Sequence, residues 1–372
     1  MRQHKEVNAV PLHCVPLENP RPDATRLIGC IMGDERPEKP PTIEYMVDIP
    51  IVRQIATDML GREWVTPETG DRASHAAYWD NIIEVWYRMG YDSLMLELPL
   101  PFRKSDLLTE DTAQLTNGDR AWADEHQGTI VSWADFEAYD WPRVADFDFS
   151  PFEYVASHLP DGMGLMPAHA GGVFEWVTWI MSYEGLSFAL HDNLELVEVV
   201  ADKVGSLQDE FFTHLLDLDN VVAVWPGDDM GFRNGTMIDP ELLRRFFLPW
   251  HRRWADMAHA KGLPYVLHTC GNLEAIMTDL IEDVGIDAKH SFEDVIMPAP
   301  EFQQRYGDRV ATLGGVDMHI LSSAEPEDLR QYVRNLIDAC APTGRFAIGA
   351  GNSVANYVPL GNYLTMIDEA LR

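Results

Sequence analysis

Val221-Val222-Ala223-Val224-Trp225-Pro226-Gly227-Asp228-Asp229 opens a stretch, ending at Asp294, in which three successive apolar runs each stop at polar residues. The second run is Pro264-Tyr265-Val266-Leu267, followed by His268 and Cys270. The third is Ile286-Asp287-Ala288-Lys289, followed by His290 and Glu293. Between each pair lies enough amphipathic sequence for a crossover helix. Strand and helix in repetition argue for a parallel sheet with helices packed on it. Polar residues at the C-terminal ends of parallel strands mark where such sheets bind ligands, in open sheets and closed barrels alike.

Working outward, Tyr91 to Leu98 reads as an earlier strand with Glu97 near its end, stopped by Pro99 and Pro101. Gly164 to Ala170 is another, with His169 close to its end. Downstream, Arg309 to Gly314 ends near Asp317, and Arg345 to Gly349 precedes Asn352. An eighth strand is not legible. Helical spacing of apolar residues starts near Ile43, and longer helices are expected up to Met89, from Val173 to Tyr183, from Leu194 to Leu218, from Glu327 to Ala339 and from Pro359 to Leu371. Thr109 to Phe149 reads as an excursion over one face, with a short extended piece at Gly128 to Trp133. Residues 1–42, rich in proline, read as an extended arm without chemistry. No interdomain linker divides residues 43–372, which favours one domain there.

The 372 residues carry 60 acidic against 28 basic side chains, a formal charge of −32. That charge disfavours nucleic acid and anionic membranes as partners. A small-molecule substrate is expected instead. So little lysine beside so much acid suits a high-salt cytoplasm and an ordinary acidic protein equally. Cys14, Cys30, Cys270 and Cys340 have no regular spacing and make no disulfide framework. With neither a signal-peptide pattern nor a long apolar run, a soluble cytoplasmic protein is the expectation.

His268 and Cys270 are alternate residues at a strand end, so their side chains point to the same side. A neutral imidazole and a thiolate so placed can share one zinc ion with a position left open for substrate. Read alone, such a pair is more often a buried thiol beside a hydrogen-bonded histidine. Gly271-Asn272 permits a sharp turn directly after it, and Glu293, just past the next strand, is positioned to complete the ligand set.

Gly227-Asp228-Asp229-Met230-Gly231, the helix entry from Pro240 to Pro249, His268-Thr269-Cys270-Gly271-Asn272, Gly314-Gly315-Val316-Asp317 and Gly349-Ala350-Gly351-Asn352-Ser353 together resemble the uroporphyrinogen decarboxylase-like superfamily. The resemblance spans residues 43–372 and implies an α/β fold, a single (β/α)8 TIM barrel with an N-terminal extension, its site at the C-terminal mouth. The superfamily holds the heme-pathway decarboxylase and the zinc- and corrinoid-linked methyltransferases. The decarboxylase's N-terminal arginine-rich motif has no counterpart here, and Ala350 stands where its last-strand histidine would be. The methyltransferase pattern of His-X-Cys fits His268 and Cys270, while Ala350 also occupies the place of that branch's last-strand cysteine.

The resemblance therefore points to a methyltransferase in which a zinc-activated thiolate accepts a methyl group from a corrinoid, free or on a partner protein, or from another donor. His268, Cys270 and Glu293 are the expected ligands. Asp228 and Asp229 are adjacent and face opposite ways, so one faces the cavity and a helix-capping role falls to the other. Asp229, His290 and Asp317 are the expected catalytic groups; Glu97, His169, Asp228 and Asn352 are the expected substrate contacts. Two alternatives stand beside this reading: a metal-free decarboxylase or lyase relying on Asp229, and a non-catalytic corrinoid- or substrate-binding homologue.

Overall fold

The computed structural model describes residues 12–110 and 119–372; residues 1–11 of the arm and 111–118 of the excursion lie outside the described residues. The fold is α/β. Parallel pairing joins Ser93–Leu98 to Gly164–His169, then residues 221–227, Val266–His268, Ala288–His290, Ala311–Leu313, Phe346–Ala347 and, through Ile348, Thr42. The two ends of this succession meet through side chains, since Thr42 Oγ1 donates to the Gly90 carbonyl and Tyr45 Oη to Glu97 Oε2.

The pleat sends alternate residues to opposite faces. One set, including Ile43, Tyr45, Met95, Met166, Ala168, Ala223, Trp225, Val266, Ala288, Ala311 and Ala347, forms an inner cluster. The other set, including Leu94, Leu96, Leu165, Val224 and Leu267, packs outward against the helices. Helix boundaries follow local chemistry. The Asp71 carboxylate accepts from the Ala73 amide to start Arg72–Met89, and Gly90 ends it at φ 85°, where a side chain would be strained.

Three sequence expectations need correction. The arm is not extended throughout: Ala24–Met32 is a helix, capped by Asp23 at the Arg26 amide. The prolines that suggested an arm flank this segment without entering it. Leu27 and Ile31 join the inner cluster, and the Ile31 carbonyl accepts from Arg345 at the start of the last strand, so the helix covers the end of the sheet opposite the site. Second, the apolar spacing near Ile43 is strand, not helix. Thr42 and Val47 pair in parallel with Ile348 and Val354, and the helix begins only at Ile49. Apart from Met46, both faces of this segment are covered, burying Glu44 as well as Ile43, so the alternation that would identify a strand is lost. Third, the excursion's extended pieces are Asp106–Glu110 and Asp119–Ala123, an antiparallel pair, rather than Gly128 to Trp133.

Helix Pro326–Cys340 is tied to the last helix, Leu360–Ala370, by a buried ion cluster. Arg330 reaches Asp368 at 2.8 Å and Glu369 at 2.9 Å, and Asp368 also accepts from the His13 and Cys14 amides at 2.6 Å. Burial alone raises both carboxyls, but the bonds from those amides and from Arg330 and Arg334 outweigh it and hold both below their ordinary range. Removing one partner from such a cluster strands buried charge. Arg330→Met should therefore cost about 3–5 kcal/mol in urea unfolding. Because the folded carboxyls are depressed, their contribution is complete above an unfolded value of about 4 and is lost as pH falls through the folded values. The parent's urea midpoint should drop on acidification from about pH 5 to about pH 3 by more than that of Arg330→Met.

Candidate functional site

The same pleat sorts the polar strand ends. Inward-facing Ala223 and Trp225 set a register that continues to Asp229 and leaves Asp228 on the outer face. Val266 is likewise followed inward by His268, and Ala288 by His290. Asp229, His268 and Cys270 consequently converge, with one donor atom from each within 4.8 Å of the others. His268 Nε2 lies 3.5 Å from Cys270 Sγ and 3.7 Å from an Asp229 oxygen. Donors bound tetrahedrally to zinc at about 2.0–2.3 Å stand roughly 3.3–3.6 Å apart, so this set fits the ion with little movement. Gly231 and Gly271 make the convergence possible: a Cβ on Gly271, itself at φ 81°, would stand 2.2 Å from the Gly231 backbone.

Hydrogen bonds assign the protons. His290 Nε2 lies 3.0 Å from the Ala350 carbonyl, which only accepts, so Nε2 carries hydrogen. Burial pushes the His290 imidazole well below its ordinary range and His268 to about 3, so both rings are neutral and His290 Nδ1 is a bare acceptor. His268 Nδ1, at 2.7 Å, must donate to it. His268 Nε2 therefore turns a lone pair toward Cys270 and Asp229. Cys270 Sγ receives hydrogen bonds from Ser291 Oγ and Asn352 Nδ2, each at 3.3 Å. Burial and then Asp229 push the free thiol well up. Although 38% of the Asp229 side chain reaches the cavity, the walls around it raise its carboxyl too.

The other expected site residues divide sharply. Asp228 is fully buried and committed to structure: it accepts from the Phe174 and Glu175 amides at the start of helix Val173–Met181 and contacts His251 Nε2 at 2.9 Å. It is not a substrate contact, because no oxygen is left facing the cavity. Asp317 caps Met318–Ser323 through the His319 and Ile320 amides and also accepts from the Asp294 amide, so its expected catalytic role gives way to a structural one. His169 accepts from the Leu100 amide and reaches the Gly171 carbonyl, tying two strand ends together rather than meeting a substrate. Glu293 stands outside the donor cluster and lines a small cavity with Lys289, Phe292 and Met297; Asp229 takes the place expected of it. Asn352 touches the Cys270 sulfur, and Glu97 faces inward, pushed up to about 7 by burial while Tyr45 donates to it.

Several neighbours were not singled out from sequence. Tyr45 stacks on His268 with ring centres 4.2 Å apart, and a strand reading of residues 42–47 would have placed it inward. Glu175, one turn into its helix, is pushed well up by burial and by Asp229, Asp228 and Glu97. Its signal was its spacing, since it reaches back to the Gly172 amide as a helix-start acid does. Lys289 faces outward, its ammonium bonded to the Thr269 and Ser291 carbonyls and set over the Phe292 ring. Cys340 is buried at a helix end, its thiol raised to about 12 by burial.

A family model described as "Uroporphyrinogen decarboxylase (URO-D)" matches residues 132–372. Among solved structures the chain is similar to a methyltransferase from Methanosarcina mazei, with a TM-score of 0.66 and 14% identity over 94% of this chain and 98% of that one. Likeness at that identity speaks for a shared fold. No curated protein matches the sequence. No helix among the described residues is long and apolar enough to cross a membrane.

The capping assignment of Asp317 separates stability from metal binding. Asp317→Ala should lower stability by about 1–2 kcal/mol, the usual cost of a lost cap. The folded variant should bind zinc as the parent does, read by chelator competition; a large loss of affinity would return Asp317 to the site.

Proposed function

The chain belongs to the uroporphyrinogen decarboxylase family, and we propose that within it the protein is a zinc-dependent methyltransferase, built as a single closed (β/α)8 barrel. The observation that carries this reading is the Asp229, His268 and Cys270 donor set on the ends of two neighbouring strands. Zinc held there would act as a Lewis acid that lowers the pKa of a substrate thiol, making the thiolate that accepts a methyl group from a corrinoid or another donor.

The chain's own residues prepare that chemistry. His268 presents its lone pair, and the Asp229 carboxylate is held in place by the Cys270 amide at 2.8 Å. Ser291 and Asn352 donate to the Cys270 sulfur and favour its thiolate form. Burial and neighbouring carboxylates already raise the proton affinity of Glu97 and Glu175, so the cavity offers no favourable partner to a polycarboxylate such as a porphyrinogen. A small thiol and a methyl donor without clustered anionic groups suit it better. The metal-free lyase reading draws on Glu97, which its burial keeps poised near neutral pH for proton transfer.

Metal content decides between them. Cys270→Ser and Asp229→Asn should each weaken zinc binding by roughly 10-fold or more. Cys340→Ser and Glu293→Gln should retain parental affinity, both measured by competition with a chromophoric chelator. Full zinc retention in Cys270→Ser would sink the methyltransferase reading and favour the lyase.

The pH dependence has a definite sign. His268 is already neutral above about pH 3, so the imidazole supplies no titration near neutrality. Burial holds the Cys270 proton on far above its ordinary range, and binding must release it. Zinc affinity should thus rise about 10-fold per pH unit between roughly pH 6 and pH 8. A flat profile would remove Cys270 from the ligand set.

A further inference from the structure

We propose that His290 is a positioning residue that selects the tautomer and ring orientation of His268, with the carbonyl of Ala350 as the anchor of the relay. The inference rests on the zinc reading above and assigns His290 a role other than acid–base catalysis. Three elements meet in it: strand Val266–His268, strand Ala288–His290 and the backbone after Phe346–Ala347.

Directionality is what the relay provides. A carbonyl oxygen cannot donate, so the 3.0 Å contact from Ala350 fixes hydrogen on His290 Nε2. A neutral ring with hydrogen on Nε2 has none on Nδ1, and the 2.7 Å contact then requires His268 to donate from Nδ1. His268 Nε2 is left as the only lone pair on that ring. It stands 3.5 Å from the Cys270 sulfur and 3.7 Å from Asp229. With the opposite tautomer, hydrogen would occupy the metal-facing nitrogen.

The surroundings leave His290 no other occupation. It is 1% exposed, with the Trp225 ring edge-on at 5.4 Å, Tyr45 tilted at 5.6 Å and the Gly314 backbone against its far edge. Both ring nitrogens are spent on the relay. The small residue at position 350 adds a further point: the last strand contributes its backbone oxygen here, where the resemblance led one to look for a side-chain donor.

The test uses two substitutions of the full-length protein and ranks them. In His290→Asn the amide oxygen can stand where Nδ1 stood and accept from His268; His290→Leu fills the space without any acceptor. Zinc affinity, measured by chelator competition, should fall less than about 5-fold in His290→Asn and about 10- to 100-fold in His290→Leu. A residue that merely filled space would give the reverse order, because leucine matches the lost volume and asparagine leaves a cavity. That reversed order, or equal affinity in His290→Leu and parent, overturns the inference while leaving the zinc site intact. If His290→Leu does not fold, a loss beyond 10-fold in His290→Asn overturns it equally. Nitrogen-15 NMR of the zinc-free protein gives an independent reading: His268 should carry its proton on Nδ1 in the parent, and a proton on Nε2 would refute the relay. A parent protein that keeps the Nδ1 tautomer but binds no zinc would instead overturn the proposed function alone.

Discussion

The buried carboxylate of Asp228 is the contact on which the site depends. Its two oxygens hold the first amides of helix Val173–Met181 and the imidazole of His251, whose other nitrogen contacts the Tyr265 hydroxyl at 2.8 Å. One side chain thereby joins the end of one strand to a helix behind it, to helix Leu248–Ala260 and to the neighbouring strand. A charge so enclosed is tolerable only because backbone donors and a helix N-terminus meet it. Gly172 is part of the same solution, since a Cβ there would stand 2.2 Å from the Asp228 carboxyl carbon. With Asp228 pinned outward, the pleat leaves Asp229 no choice but to face the cavity.

Facing the cavity has electrostatic consequences. On top of the effect of burial, Asp229 raises the proton affinity of both Glu97 and Glu175, and Glu97 that of Glu175. The cavity therefore favours a bound cation, and the lone pair of His268 gives that cation a nitrogen donor. The outward Lys289 lends partial compensation from behind the strands, where its carbonyl partners also hold the loop ends carrying Cys270 and Ser291.

The sequence was legible where a physical rule had a single outcome. Alternation after the three central runs located His268, Cys270 and Asp229 correctly, because period two at a strand end admits two faces only. It also anticipated that Asp228 and Asp229 would part ways, without saying which would cap. Residues 42–47 were illegible for the opposite reason: a strand covered on both faces has no polar stripe, and six residues are too few to separate it from a helix start. Glu293 was misplaced because it lies beyond the strand, where the chain has left the pleat and spacing no longer dictates direction. Asp317 and His169 lie at the predicted strand ends, but their hydrogen bonds are spent on backbone groups and, for His169, on Gln208 as well, which residue type and position alone do not reveal.

Ala350 ties these threads together. A donor set of one thiolate, one carboxylate and one neutral imidazole carries the same formal charge as two thiolates and an imidazole, so replacing a last-strand cysteine by Asp229 preserves charge balance at a divalent ion. What changes is softness: an oxygen donor relaxes the preference for soft ions and makes the site more hospitable to harder ones. The last strand reaches the site through its backbone, where the Ala350 carbonyl orients His290 and the nearby Asn352 amide contacts the Cys270 sulfur. In the proposed zinc site the last strand would hold two of the groups that surround the ligands rather than supply a ligand, and geometry at the ion would depend on hydrogen bonds whose removal is graded rather than all-or-none.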